Sequence, residues 1–339
     1  MAIYGRGEWT AKRVETAIDP DRPIIDPHHH LWDREASTYL VADLLADTRA
    51  SHNVTDTVFV ECSAEYDATA PPHLAPVGET RFVAAQAAAL EALGATRIGA
   101  IVSHADMTLG DQVAEVLAAH TEAGAGLFRG IRHGLNWSPF DDVKNGHHDP
   151  NQGQMGAANF RAGVATLGDM GFSFDAWLYF DQLGELAELA MAIPQTKIIV
   201  NHLGGPLGIG PHAGAGQAEM VAIWRAGIAA AAACDNVVLK VGGIGMGHYF
   251  GMESRGTPWA DLDTPPDSET VANWWADRVH YCIDTFGPDR CMFESNFPVD
   301  RQTLPYTVLW NAFQILAARY SPAEQDALFH NTAKRAYRI

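Results

Sequence analysis

Ile24-Ile25-Asp26-Pro27-His28-His29-His30-Leu31-Trp32-Asp33 opens the patterned part of the chain, a short apolar run that gives way to ionisable side chains. On a strand, residues two apart point to the same side, so the segment predicts Asp26, His28 and His30 on one face. Two imidazoles at His-x-His spacing can converge on a metal ion or on a substrate carbonyl. A dinucleotide-binding fold would carry a glycine-rich phosphate loop directly after its first strand. His28-His29-His30 stands in that place instead, which argues against an open, doubly wound sheet of that kind.

Working outward, short apolar and β-branched runs recur at Ile24–Asp26, Thr57–Glu61, Arg97–Val102, Leu127–Arg132, Phe172–Leu178, Lys197–Asn201, Val237–Val241 and Arg290–Phe293. Between them lie Ala/Leu/Glu-rich stretches of helical spacing, at Glu79–Leu93, Gly110–Thr121, Phe160–Met170, Gln182–Ile193, Gln217–Ala233 and Glu269–Phe286. Strands alternating with helices imply parallel pairing with crossover helices. Eight such runs are what close a (β/α)₈ TIM barrel. The expected layout is an N-terminal extension over 1–22 and a single α/β barrel domain over 23–339, without a further domain boundary. Ser321-Pro322-Ala323-Glu324 supplies an N-cap, a first-turn proline and a capping glutamate, so a last helix is expected from there to Ile339, packed across the barrel wall.

Two long, irregular segments, Asn136–Asn159 and Gly242–Ser268, each follow a predicted strand. Both should therefore sit at the C-terminal rim, where active-site lids are built. Their aromatic residues (Trp137, Phe140, Tyr249, Phe250 and Trp259) suit a cover that excludes water.

Composition narrows the class. The 339 residues are 47% hydrophobic and 19% charged, enough apolar material for a large core. A formal net charge of −18 repels nucleic acid and anionic lipid. The four cysteines are scattered, without metal or redox spacing, as expected of reduced thiols. Met1–Pro23 lacks the apolar segment of a secretory leader, and no apolar run is long enough to span a bilayer. A cytoplasmic location follows as an expectation, with self-association left open.

In a barrel of this kind, catalytic groups belong at strand C-termini. His28 and His30 end the first run, Glu61 the second, and His104 follows the third. Arg132 and His133 end the fourth, and Trp177 and Tyr179 flank the end of the fifth. Asn201-His202 end the sixth, Lys240 the seventh, and Glu294-Ser295-Asn296 the eighth. A polar group at every strand end is difficult to attribute to chance.

Ile25-Asp26-Pro27-His28-His29-His30-Leu31-Trp32, Arg129-Gly130-Ile131-Arg132-His133, Asn201-His202-Leu203-Gly204-Gly205 and Met292-Phe293-Glu294-Ser295-Asn296-Phe297-Pro298-Val299-Asp300 resemble the amidohydrolase-related group of the amidohydrolase superfamily. The nearest likeness is to the branch of 2-pyrone-4,6-dicarboxylate lactonase and the sugar lactonases. It extends from the first strand to the final helix. The resemblance implies that His28, His30 and His202 form a metal or substrate triad, holding one divalent ion (Zn, Mn or Fe) or acting without metal. It also implies an aspartate on the eighth strand as ligand and base; here that position is Asn296, a neutral amide that cannot serve as a base. Glu61 and Glu294 are the carboxylates placed to compensate, with Asp300 reachable only if its loop folds inward. The family's bridging lysine on the fourth strand is missing, which argues against a carbamate-bridged binuclear centre.

The cations suggest the substrate. Arg132 and Lys240, with His133 and Tyr179 beside them, are candidates for holding a carboxylate, which Arg does in bidentate fashion. The leading expectation is a hydrolase that opens a carboxylated lactone, a carboxylic-ester hydrolase of small-molecule catabolism. The alternatives are a metal-dependent decarboxylase or Fe/Mn oxygenase on the same barrel, and a catalytically lapsed partner subunit.

Overall fold

The structure, a computed structural model, describes residues 7–35, 37–94 and 96–339; residues 1–6 of the expected extension lie outside that range. Eight parallel strands form one sheet: β1 (Pro23–His29), β2 (Asn53–Val60), β3 (Arg97–Ser103), β4 (Phe128–Gly134), β5 (Ser173–Trp177), β6 (Ile198–Val200), β7 (Val237–Gly242) and β8 (Cys291–Glu294). Each pairs with its sequence neighbour. All eight predicted runs are strands, because their apolar residues are covered on both faces, as a parallel sheet requires.

The ring closes between β8 and β1 through the segment after β8, with no regular ladder between the two. Asn296 N donates to His28 O at 2.8 Å and His30 N to Phe297 O at 2.8 Å, with a parallel bridge between His29 and Phe297. The two most distinctive sequence motifs thus form the seam of the barrel.

Crossover helices surround the sheet: α1 (Val41–Thr48), α2 (Val77–Glu91), α3 (Val113–Ala123), α4 (Ala158–Asp169), α5 (Leu183–Ala192), α6 (Gln217–Ala232), α7 (Ser268–Phe286) and α8 (Tyr306–Ala317). The helix expected from Gly110 begins at Val113 instead. Gly110 takes φ 59°, a left-handed angle that separates a tight turn capped by Asp106 from the helix proper.

Two expectations are corrected. Asp26 does not share a face with His28 and His30. The β1–β2 register shifts between Asp26 and His29, at Pro27, which has no N–H for the ladder. The bulge turns Asp26 outward, where it accepts from Tyr306 OH at 3.0 Å and Ser295 N at 2.9 Å. The last helix lies against the barrel wall only over its first half. It runs as Pro322–Asp326, a wider turn at Ala327–Asn331, then Thr332–Tyr337. Its Ala333, Ala336 and Tyr337 pack under Ile25, Val58, Val60, Val102, Ile199 and Met292, flooring the barrel interior. Leu328 and Phe329 of its first half join the outer core beside Phe293 of β8 and Trp310 and Phe313 of α8.

Both long rim segments lie where expected. Residues 7–22 run against the second of them: Trp9 Nε1 donates to Leu262 O at 2.8 Å and Arg13 Nε to Pro265 O at 3.0 Å. No helix among the described residues is long and apolar enough to cross a membrane, and all four cysteines are free thiols.

Candidate active site

Glu294, the last residue of β8, points into the barrel and is fully buried. Its Oε2 accepts from His28 Nδ1 at 2.6 Å and its Oε1 from His202 Nδ1 at 2.7 Å. His202 N adds a third bond to Oε1 at 3.0 Å. One carboxylate therefore fixes the tautomer of two imidazoles, leaving the Nε2 of each with its lone pair. Their ring centroids are 4.6 Å apart. Beneath Glu294 lies Lys240, fully buried, paired with Asp175 at 2.9 Å and 5.2 Å from the Tyr337 ring centroid. Lys240 is thus part of the foundation and does not reach the cavity.

His30 Nδ1 donates to Val60 O at 2.8 Å, so its Nε2 also carries a lone pair. That atom faces Asn296 Oδ1 at 3.2 Å, while Asn296 Nδ2 donates to Asp300 Oδ1 at 2.8 Å. The loop after Pro298 does fold inward, and Asp300 is anchored there by Gly245 N at 2.6 Å. His202 and Asn296 both hold left-handed backbone angles, φ 53° and 56°, a strain concentrated where geometry matters. Gly243 is needed beside them: a Cβ there would lie 2.4 Å from His202 Nδ1.

Glu61 follows β2 and is also fully buried. Arg132 Nε donates to its Oε1 at 2.7 Å, and Arg132 Nη1 reaches His28 Nε2 at 3.3 Å. From the first rim loop, His147 and His148 approach Glu61 Oε2 at 3.3 and 3.2 Å. Burial opposes ionisation of Glu61, yet Arg132, His147 and His148 hold its carboxyl well below the usual range.

Behind it, Glu79 on α2 accepts from Cys62 N at 3.0 Å and Ala64 N at 2.8 Å. Burial, with Glu61 nearby, pushes its carboxyl up to about 8. An acid raised in the native state costs stability as pH climbs from its unfolded value toward that figure. The variant Glu79→Gln, which keeps the acceptor, should therefore lose less stability than the parent between pH 5 and 9, by more than ~1 kcal/mol. Denaturant titrations at the two pH values measure this.

Above these groups opens a cavity of about 440 Å³, lined by His30, His202, Arg132, Asn296 and the aromatic faces of Trp32, Trp177 and Tyr249. Of the predicted site residues, His28, His30, His202, Glu61, Glu294, Asn296 and Arg132 come together. Arg132, not Arg129, faces inward; Arg129 Nη1 bonds Gly126 O and Phe128 O at the start of β4. His133, one residue on, alternates to the far side, accepting from Met107 N at 3.2 Å. The Tyr179 hydroxyl donates to Lys144 O and accepts from Asn136 Nδ2 at 3.2 Å, so it braces the rim loop. His133, Tyr179 and Lys240 therefore do not meet the cavity.

Sequence reasoning missed Arg34 and Lys144, which line the mouth and make no ion pair with a described carboxylate. Arg34 sits on a short hairpin just past the His-x-His motif, stacked on Trp32 with 4.7 Å to the ring centroid. Its closeness to that motif was the available signal. His147 and His148 lay in a loop without pattern, and no signal pointed to them.

Burial lowers His28, His30 and His202 below the ordinary histidine range, so all three are neutral at pH 7. The facing lone pairs of His30 Nε2 and Asn296 Oδ1 fit a divalent cation, with the Nε2 atoms of His28 and His202 on the same floor. The same groups also close without one. Burial pushes the Asp300 carboxyl well above the carboxylate range; protonated, it can donate to a flipped Asn296 amide whose Nδ2 then donates to His30.

Comparisons with known proteins agree with this architecture. The sequence profile of the amidohydrolase family matches residues 25–339. An uncharacterized protein of Sinorhizobium fredii is 32% identical over 94% of this chain and 99% of its own length. The L-fucono-1,5-lactonase of Burkholderia multivorans is 27% identical over 93% of this chain and 96% of its own. Among solved structures, an amidohydrolase from Burkholderia multivorans with bound zinc superposes with TM-score 0.69 at 24% identity, covering 93% of this chain and 99% of that one. A putative 2-pyrone-4,6-dicarboxylic acid hydrolase from Pseudomonas putida gives 0.59 at 16% identity, over 96% and 98%.

Proposed function

We propose that this chain, which belongs to the amidohydrolase family, hydrolyses a small lactone bearing a carboxylate. The observation that carries the reading is the Glu294 carboxylate shared by His28 and His202 below a cavity whose mouth holds Arg34 and Lys144. It restores a base where Asn296 cannot supply one. A carboxylate-held imidazole with its free nitrogen facing substrate is a general base, and His202 is the member of the pair that lines the cavity.

In this scheme a water attacks the lactone carbonyl carbon and passes its proton to His202 Nε2. The charge that develops on the carbonyl oxygen is met by Arg132, which His28 Nε2 and Glu61 hold in place. Collapse of the tetrahedral intermediate breaks the bond to the ring oxygen, which departs with the proton from His202, giving a hydroxy acid. Arg34 and Lys144 hold the substrate carboxylate and, on a chain of net charge −18, draw an anion to this rim. Where a divalent ion is bound by His30 and Asn296, it would supply carbonyl polarisation. The L-fucono-1,5-lactonase relative supports a lactone as substrate, and the carboxylate rests on Arg34 and Lys144.

Acid release from a panel of carboxylated and sugar lactones, followed at constant pH with CO₂ measured in parallel, tests the reading. Acid should appear without CO₂. Because burial lowers the His202 pKa, kcat/KM should hold from pH 7 down past the ordinary histidine value of 6.5 before an acid limb appears. CO₂ release from carboxylated substrates would instead point to decarboxylation, and inertness across the panel to a lapsed subunit.

A further inference from the structure

A second cluster of metal-ligating side chains lies beside the active site, against a cavity of about 370 Å³ lined by His104, His133, His147 and His148 with Asp106 and Asp149. The candidate ligand atoms of Glu61, His104 and His148 lie within 4.8 Å of one another. His104 Nδ1 donates to Arg132 O at 3.1 Å, which leaves its Nε2 with the lone pair. A carbonyl that fixes the tautomer in this way is a common support for a metal-binding histidine. Glu61 Oε2 stands 3.2 Å from His148 Nε2 and 3.3 Å from His147 Nε2. Donors sharing a tetrahedral ion with bonds of ~2.0 Å are separated by about 3.3 Å. Glu61 Oε1 is already taken by Arg132, so the carboxylate can serve the ion through Oε2 without releasing the guanidinium.

We propose that Glu61, His104 and His148 form a divalent-metal site of the zinc class that fastens the first rim loop to the barrel, with His147 as a further donor. The nitrogen-and-carboxylate donor set suits Zn²⁺ or Co²⁺ better than Ca²⁺ or Mg²⁺, which prefer all-oxygen shells. The His104 and His148 rings stack with centroids 3.5 Å apart and planes within 6°. To share an ion the two rings must splay apart. Asp106 and Asp149 along the same cavity offset the added charge. Since Glu61 and His148 belong to different parts of the chain, the ion would couple loop closure to metal supply.

The test uses the full-length, metal-stripped protein and its His148→Ala, His104→Ala and His30→Ala variants, dialysed against Zn²⁺ and then analysed for bound metal. The site predicts that His148→Ala and His104→Ala each bind one equivalent fewer than the parent, whereas His30→Ala keeps the equivalent that they lose. Zn²⁺ should also slow proteolysis within Asn136–Asn159 in the parent and leave the His148→Ala rate unchanged. A parent that binds no zinc, or a His148→Ala variant that matches its stoichiometry and its protection, overturns the proposal. These readouts involve no turnover, so they stand apart from the lactonase test.

Discussion

Replacing Glu294 with glutamine is expected to lower kcat/KM for lactone hydrolysis by about 10³-fold or more, the scale at which a catalytic histidine loses its orienting carboxylate. Glu294 accepts from two imidazoles at once. Glutamine has one carbonyl oxygen and one amide nitrogen, so it can accept from only one of them. Its NH₂ group must donate to the other, which forces the proton of that ring onto Nε2, the atom that should face the cavity. If His202 is the ring so reversed, the base is lost; if His28 is, the acceptor for Arg132 Nη1 is lost. The shape of the side chain is nearly unchanged, so the far-UV spectrum and thermal midpoint should stay close to the parent. Steady-state kinetics with that control decides the matter. Unchanged turnover would remove Glu294 and the histidines it orients from the chemistry.

The second large effect is expected at Arg132. Arg132→Met removes the partner of a fully buried carboxylate and should destabilise the fold by about 3–5 kcal/mol, read as a lowered denaturation midpoint. Activity should fall with it, because the guanidinium is the group placed to meet charge on the substrate carbonyl. The two effects can be separated. In the double variant Arg132→Met/Glu61→Gln the uncompensated charge is gone, so most of the stability should return while activity stays low. If activity returned with stability, Arg132 would be a structural counter-ion only.

Much of the fold was legible because its signals are local. Eight β-branched runs and the helices between them reflect spacing along the chain, and a parallel barrel buries both faces of each strand, so the runs stand out. The failures have equally specific causes. Asp26 was expected beside His28 because strand alternation was carried through Pro27; the bulge there reverses it. His133 follows the same alternation correctly but lands on the outer side, because Arg132 takes the inner one. Lys240 reads as a rim cation, yet the floor formed by Ala333 and Tyr337 makes its depth a foundation rather than a surface. Cations at the mouth were expected from the strands, whereas Arg34 and Lys144 come from connections, whose course no periodicity specifies.

Legible in the sequence alone were the barrel, the His-x-His motif on its first strand, and the loss of a base at Asn296. These depend on residue identity and short-range order. Only the tertiary structure decided that Glu294 serves both His28 and His202, that Arg132 spans Glu61 and His28, and that His148 returns from a rim loop to Glu61. The members of these contacts are separated by 266, 92, 71, 104 and 87 positions in the chain. Such pairings arise from the closure of the barrel, which brings strand ends into one ring, and no local propensity encodes them.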